Sequence, residues 1–110
     1  MSQVLSVYMT AGDLAEAEKI AQALVDERLA ACVNIFDGVR SVFRWEGSVQ
    51  SGREVVLIAK TVEDRFEELR DRVIELHSYE LPCIVARPVS DGHPGFLEWI
   101  EAETDPSSAI

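Results

Sequence analysis

The alternating run from Val39 to Val49 constrains this chain more than any other segment. Its odd positions are Val39, Ser41, Phe43, Trp45, Gly47 and Val49; its even positions are Arg40, Val42, Arg44, Glu46 and Ser48. That is the period-2 pattern of a strand, with Val42 as the exception. The group Gln50-Ser51-Gly52-Arg53 reads as a turn, and the apolar run Val55-Val56-Leu57-Ile58-Ala59 as the returning strand. Together they make a long β-hairpin. An arm of about 10–13 residues spans roughly 35–43 Å at about 3.3 Å per residue. A domain of this size has a radius of gyration of only about 13 Å. The hairpin therefore projects beyond its own domain, and a projecting apolar hairpin calls for a partner chain.

The chain of 110 residues suits one domain, expected over 1–104 with a disordered tail at 105–110. The net charge is −10, from 20 acidic and 10 basic residues. Phosphate backbones are repelled by such a surface unless a basic patch compensates, so nucleic acid is not an expected partner. Around Arg65, Arg70 and Arg72 no patch forms, because Glu63, Asp64, Glu67, Glu68 and Asp71 interleave with them. No apolar run approaches the ~20 residues of a membrane span. Met1 to Ser6 carries no basic segment and no long apolar stretch, which does not fit a secretory signal and makes the cytoplasm the expected compartment. Cys32 and Cys83 lie outside any C-x-x-C pair. They are expected as reduced, small, buried residues in apolar runs.

Val4 to Thr10 reads as a first strand. Asp13, with Glu16 three residues on, caps a helix whose apolar stripe runs through Leu14, Ala17, Ile20, Ala21, Leu24 and Val25 to Arg28, with Leu29 closing the face. A second strand starts near Ala31 and bends at Asp37-Gly38; a third covers about Glu54 to Thr61. Thr61 is the expected cap of a second helix, with Asp64 at the capping-box position and Phe66, Leu69, Val73 and Leu76 on its buried stripe. Pro82 stops that helix near His77, and Leu81 to Arg87 reads as strand four. His93-Pro94 starts a terminal helix carrying Phe96, Leu97, Trp99 and Ile100. The order β-α-β-β-α-β plus a helix is the α+β, ferredoxin-like plan, with strands one and three central. Two helices cover one sheet face; the apolar residues on the other need a neighbour, and further subunits supply it most simply.

Five fragments then resemble the CutA family of divalent-cation tolerance proteins. They are Leu29-Ala30-Ala31-Cys32-Val33-Asn34-Ile35, Ser41-x-Phe43-x-Trp45-x-Gly47, Glu54-x-x-Leu57-x-x-Lys60-Thr61, His77-x-Tyr79-Glu80-x-Pro82 and Phe96-Leu97-x-Trp99-Ile100. The resemblance implies a ferredoxin-like subunit in a homotrimer resembling the PII signalling proteins, with Phe43, Trp45 and Trp99 at the trimer interface. Phe43 and Phe96 stand where the family commonly has Tyr, and Ser78 where it commonly has Pro.

Two constellations carry candidate chemistry. His77 and Glu80, three apart, offer an imidazole and a carboxylate suited to Zn²⁺ or Cu²⁺, and Cys32 adds a thiolate that favours Cu⁺. The family's link to metal tolerance makes copper or another divalent cation the expected bound ion. The plainer reading has His77 capping a helix end and Glu80 pairing with a base. Trp45, Lys60, Tyr79 and Glu80 form the second set, a cleft for a small anion, for which the alternative is a Lys60–Glu80 ion pair at a subunit seam. No nucleophile elbow, P-loop or H-E-x-x-H helix is present, so an enzyme is not expected. A structural or partner-docking trimer is the third reading.

Overall fold

The computed structural model describes residues 2–109. Met1, expected in the domain, and Ile110, expected in the tail, lie outside the described residues. The elements are β1 (Val4–Ala11), α1 (Leu14–Asp26), β2 (Cys32–Trp45), β3 (Ser48–Val62), α2 (Glu63–Leu76), β4 (Ile84–Pro88) and α3 (Pro94–Thr104), followed by a 3₁₀ turn over Pro106–Ala109. The four strands pair antiparallel in the order β2-β3-β1-β4. This is the ferredoxin-like plan, with the two most continuously apolar strands in the middle.

Strand alternation divides the sheet into two faces. Val7, Met9 and Ala11 of β1 stand opposite Ala59, Leu57 and Val55 of β3. With Ile20 and Leu24 of α1 and Leu69 and Val73 of α2 they form the main core. α1 begins where Asp13 Oδ1 accepts from the Glu16 N–H at 2.8 Å, as the sequence suggests. It ends earlier than the periodicity implies. Arg28 adopts φ 58°, and the Leu29 and Ala30 N–H groups turn back to the Leu24 carbonyl. Leu29 still closes the core, from outside the helix.

Thr61 is not the cap of α2. β3 runs on to Val62, which pairs with Val4, so alternation turns Thr61 inward, where its hydroxyl donates to the Leu29 carbonyl at 2.7 Å. Val62 is the N-cap residue and makes no side-chain capping bond; the Glu63 and Asp64 N–H groups donate instead to Gln3 O and Ser2 Oγ. β4 is also shorter than expected. Leu81 is exposed and Cys83 precedes the strand, whose ladder with β1 begins at Ile84 opposite Met9. Cys32 and Cys83 are both unpaired and half-buried rather than core residues.

The second face is covered only at one end. There α3 sets Ile100 against Val4, Val62 and Ala31. Across the rest of that face the register aligns Asn34, Ile58, Tyr8 and Val85, with Phe36 two residues along β2. Tyr8, Phe36 and Val85 remain 40–54% exposed there.

The hairpin is longer than the alternation suggests, with 14 residues in β2 and 15 in β3, and the molecule measures 44 × 29 × 22 Å. Its turn is Glu46-Gly47, not Gln50 to Arg53. Both residues have positive φ, 48° and 84°, the signature of the two-residue turn that matches strand twist. Gly52 lies inside β3, opposite Ser41. Val49 consequently pairs with Arg44 and shares no strand with Trp45. One irregularity, between Phe36 and Val39, leaves an extra residue on β2 at the Asp37-Gly38 bend.

Candidate functional site

The polar groups that the fold does gather lie at the end of the sheet where the β1–α1 turn meets the α2–β4 loop. His77 caps α2. Its Nε2 lies 2.7 Å from the Thr10 carbonyl, and its Nδ1 accepts from the Tyr79 N–H at 3.0 Å. A neutral ring with the proton on Nε2 satisfies both contacts. The Tyr79 hydroxyl donates to Glu54 Oε2 at 2.9 Å, and its ring lies tilted against His77, 4.7 Å between centroids. Glu16 reaches over from α1, accepting from the Ser78 N–H at 2.7 Å and the Gly12 N–H at 3.2 Å.

These neighbours move titrations in opposite directions. Burial alone would raise the Glu16 carboxyl. The hydrogen bonds from Ser78 and Gly12 outweigh it and hold Glu16 below its usual value. Burial, then the bond to Glu54 and the charges of Glu54, Glu16 and Asp13, push Tyr79 up to about 12. Burial and Glu54 likewise push the Cys83 thiol up, away from the reactive thiolate. The Tyr79 shift has a definite sign. A raised folded-state value favours the neutral phenol, so its stabilisation is complete below about pH 10, the unfolded value. It disappears as pH climbs to about 12. Alkaline urea titrations therefore should show the wild type losing stability relative to Tyr79→Phe over that interval. Parallel curves would mean the phenol is not held as described.

The two sequence-derived sets are not brought together within one protomer. Cys32 opens β2 and pairs with Lys60 of β3, which in turn stands opposite Ser6 of β1; His77 sits against Thr10, four residues farther along β1. Two strand spacings and four residues of rise separate the two ends by on the order of 15 Å. Glu80 follows Tyr79 on the exposed side of the loop. Both His77 nitrogens are already engaged. Among the described residues no three His, Cys, Asp or Glu side chains converge as metal ligands, so Cys32, His77 and Glu80 do not fit an ion inside a single chain. The anion set divides in the same way. Tyr79 and Glu80 are neighbours, Lys60 is at the far end of the sheet, and Trp45 is at the hairpin tip. No Lys60–Glu80 ion pair forms among the described residues. Phe43 and Trp45 lie on one side of the arm, and Trp99 stacks with Phe96 on α3, 5.3 Å between ring centroids.

Glu54 and Glu16 are the members that the sequence reading did not place at the site. Glu54 was visible only as a motif residue, and Glu16 only as a helix-cap partner. A second omission is basic: strand register puts Arg40, Arg44 and Arg53 on one side of the arm, a clustering hidden by their separation in sequence.

Comparison with known proteins agrees with this architecture. The family described as CutA1 divalent ion tolerance protein matches residues 5–103. The divalent-cation tolerance protein CutA of Archaeoglobus fulgidus is 47% identical over 95 residues, covering 86% of this chain and 92% of that one. Its structure, described as a periplasmic divalent cation tolerance protein, superposes with a TM-score of 0.90 over 93% of this chain and 99% of its own, at 44% identity. CutA from Xylella fastidiosa superposes with a TM-score of 0.92 at 40% identity, over 94% of this chain and all of that one (100%). No described helix is long and apolar enough to cross a membrane. The chain belongs to the CutA family of divalent-ion tolerance proteins.

Proposed function

We propose that the protein serves divalent-cation tolerance as a homotrimer without catalysing a reaction, and that copper or another divalent cation is held by groups from more than one subunit. The observation that carries this reading is the uncovered apolar row of Tyr8, Ile58, Phe36 and Val85, on the sheet face that the helices α1 and α2 leave open. A second copy seated there buries what a lone protomer leaves in water. Three copies is the number the family resemblance implies. With both His77 nitrogens engaged, Cys32 and Glu80 remain as candidate ligands, and their separation favours ligands shared between copies. The raised Cys83 thiol and the fully engaged His77 ring favour a non-catalytic role. A small-anion sensor is less well supported: the phenol of Tyr79 is surrounded by Glu54, Glu16 and Asp13 rather than by Lys60. We place the protein in the cytoplasm, where unpaired Cys32 and Cys83 are stable, and cell fractionation decides the compartment.

Sedimentation equilibrium should return three times the protomer mass; a monomer mass sinks the assembly. Chelator-stripped protein titrated with Cu⁺, Cu²⁺ and Zn²⁺ should take up metal in proportion to trimers, with affinity falling as ligand groups protonate at low pH. Uptake that is absent for all three ions removes metal binding from the function.

A further inference from the structure

One cross-strand row on the open face of the sheet is cationic rather than apolar. Lys60 of β3 stands opposite Ser6 of β1, and Ser6 stands opposite Arg87 of β4. Residues paired across antiparallel strands project to the same side, so two long cationic side chains flank one short hydroxyl. Two strand spacings, about 9–10 Å, separate the Lys60 and Arg87 backbones. Neither cation has an acidic partner among the described residues. On α3, Glu101 accepts the Ser2 N–H and Glu103 pairs with Arg28. The row has walls on both sides. Two residues one way along the strands, Val4 and Val62 carry Ile100 of α3. Two residues the other way stand Ile58 and Tyr8 of the apolar patch. Ser6 is the floor of a seat between them.

Two like charges held over one hydroxyl favour an anion between them. The net charge of −10 opposes a long polyanion, which would run on over acidic surface. A single small oxyanion meets only this row. The donor set selects its shape. A guanidinium fork takes two oxygens, an ammonium a third and a hydroxyl a fourth. A planar carboxylate has two oxygens and leaves donors unused. We propose that Lys60, Ser6 and Arg87 bind a tetrahedral oxyanion, the phosphoryl group of free phosphate or of a small phosphomonoester. The inference goes beyond the metal reading and needs neither a metal nor a second subunit, because all three donors belong to one protomer. It also stands apart from Tyr79 and Glu80, which lie toward the other end of the sheet, where Glu54 and Glu16 repel anions.

Calorimetric titration tests it, on the whole chain in its native assembly and at an ionic strength fixed with chloride. The probes are inorganic phosphate, glycerol phosphate and acetate. The wild type should bind both phosphates more tightly than acetate, and whichever phosphate binds more tightly identifies the source of the group. Lys60→Gln and Arg87→Gln should each weaken phosphate binding by about tenfold or more. Arg87→Lys keeps the charge but not the fork, and should fall between Arg87→Gln and the wild type. Arg44→Gln, on the hairpin arm, should bind like the wild type. Circular dichroism checks that each variant is folded; if Lys60→Gln is not, Arg87→Gln on the edge strand decides. A wild type that binds no phosphate overturns the site, as does acetate binding as tightly as phosphate. An Arg44→Gln loss equal to that of Arg87→Gln overturns it too, by showing diffuse attraction instead of a seat. Loss of metal uptake or of the trimer, with phosphate binding kept, overturns the function proposed above and leaves the site standing.

Discussion

Replacing Leu57 with alanine should lower stability by about 2–5 kcal/mol, the range for deleting a well-packed leucine. Leu57 is fully buried at the middle of β3, paired in register with Met9 on one side and Ile35 on the other. The core groups around it belong to four elements: Ile20 and Leu24 from α1, Leu69 and Val73 from α2, and the flanking strands. A void there cannot be closed by one side chain moving, because each neighbour is fixed by a different backbone segment. Urea unfolding followed by far-ultraviolet circular dichroism measures the loss, at one fixed protomer concentration because assembly contributes to apparent stability. A loss below about 1 kcal/mol would mean that the layers collapse onto the cavity and that the core is less rigid than its burial implies.

Phe36→Asp should act on assembly rather than on the fold. In the protomer the Phe36 ring is half exposed, so an aspartate costs an isolated subunit little. Against a second subunit the same carboxylate is a buried, unpartnered charge, costing about 3–5 kcal/mol at each contact. That corresponds to a hundredfold or greater weakening. The variant should sediment as a folded monomer under conditions where the wild type is trimeric, with its helix and strand signals retained. A variant that stays trimeric would show that the open face is not where copies meet, whatever the mass of the wild type.

The fold was readable because its determinants are local and redundant. The 3.6-residue stripes of α1 and α2, the continuous apolar runs of β1 and β3, and Pro94 at the head of α3 each name an element without tertiary help. The errors arose where a residue type has two uses. Thr61 resembles a helix cap, but strand pairing with β1 continues past it and turns its hydroxyl to Leu29. Gly52 resembles a turn glycine, but Glu46-Gly47 reverses the chain because the strand twist favours two adjacent positive-φ residues. The candidate site was less legible for a different reason. Chemical type groups Cys32 with His77 and Glu80, and Lys60 with Trp45, Tyr79 and Glu80, while the positions depend on which end of which strand each residue occupies. Register, which no spacing rule supplies, sends Cys32 and Lys60 to one end and His77 to the other.

The extra residue at Asp37-Gly38 acts as a parity switch. Before it, Val33 and Ile35 share the helix side of the sheet with Ala59 and Leu57. After it, Val39, Phe43 and Trp45 pair with Glu54, Gln50 and Ser48, so odd-numbered residues of β2 have changed sides while β3 keeps its alternation. The bulge absorbs that extra position, so both aromatic rings stay on the open face with Glu54, Gln50 and Ser48, and Arg40 and Arg44 share the other face with Arg53. Run through the bend as a regular strand, the same residues would present the arm inside out, with guanidinium groups where the rings belong. Deleting one of the two bend residues would remove the need for the bulge and leave both faces of the arm as they are, whereas inserting another would turn the arm over unless a second irregularity absorbed it.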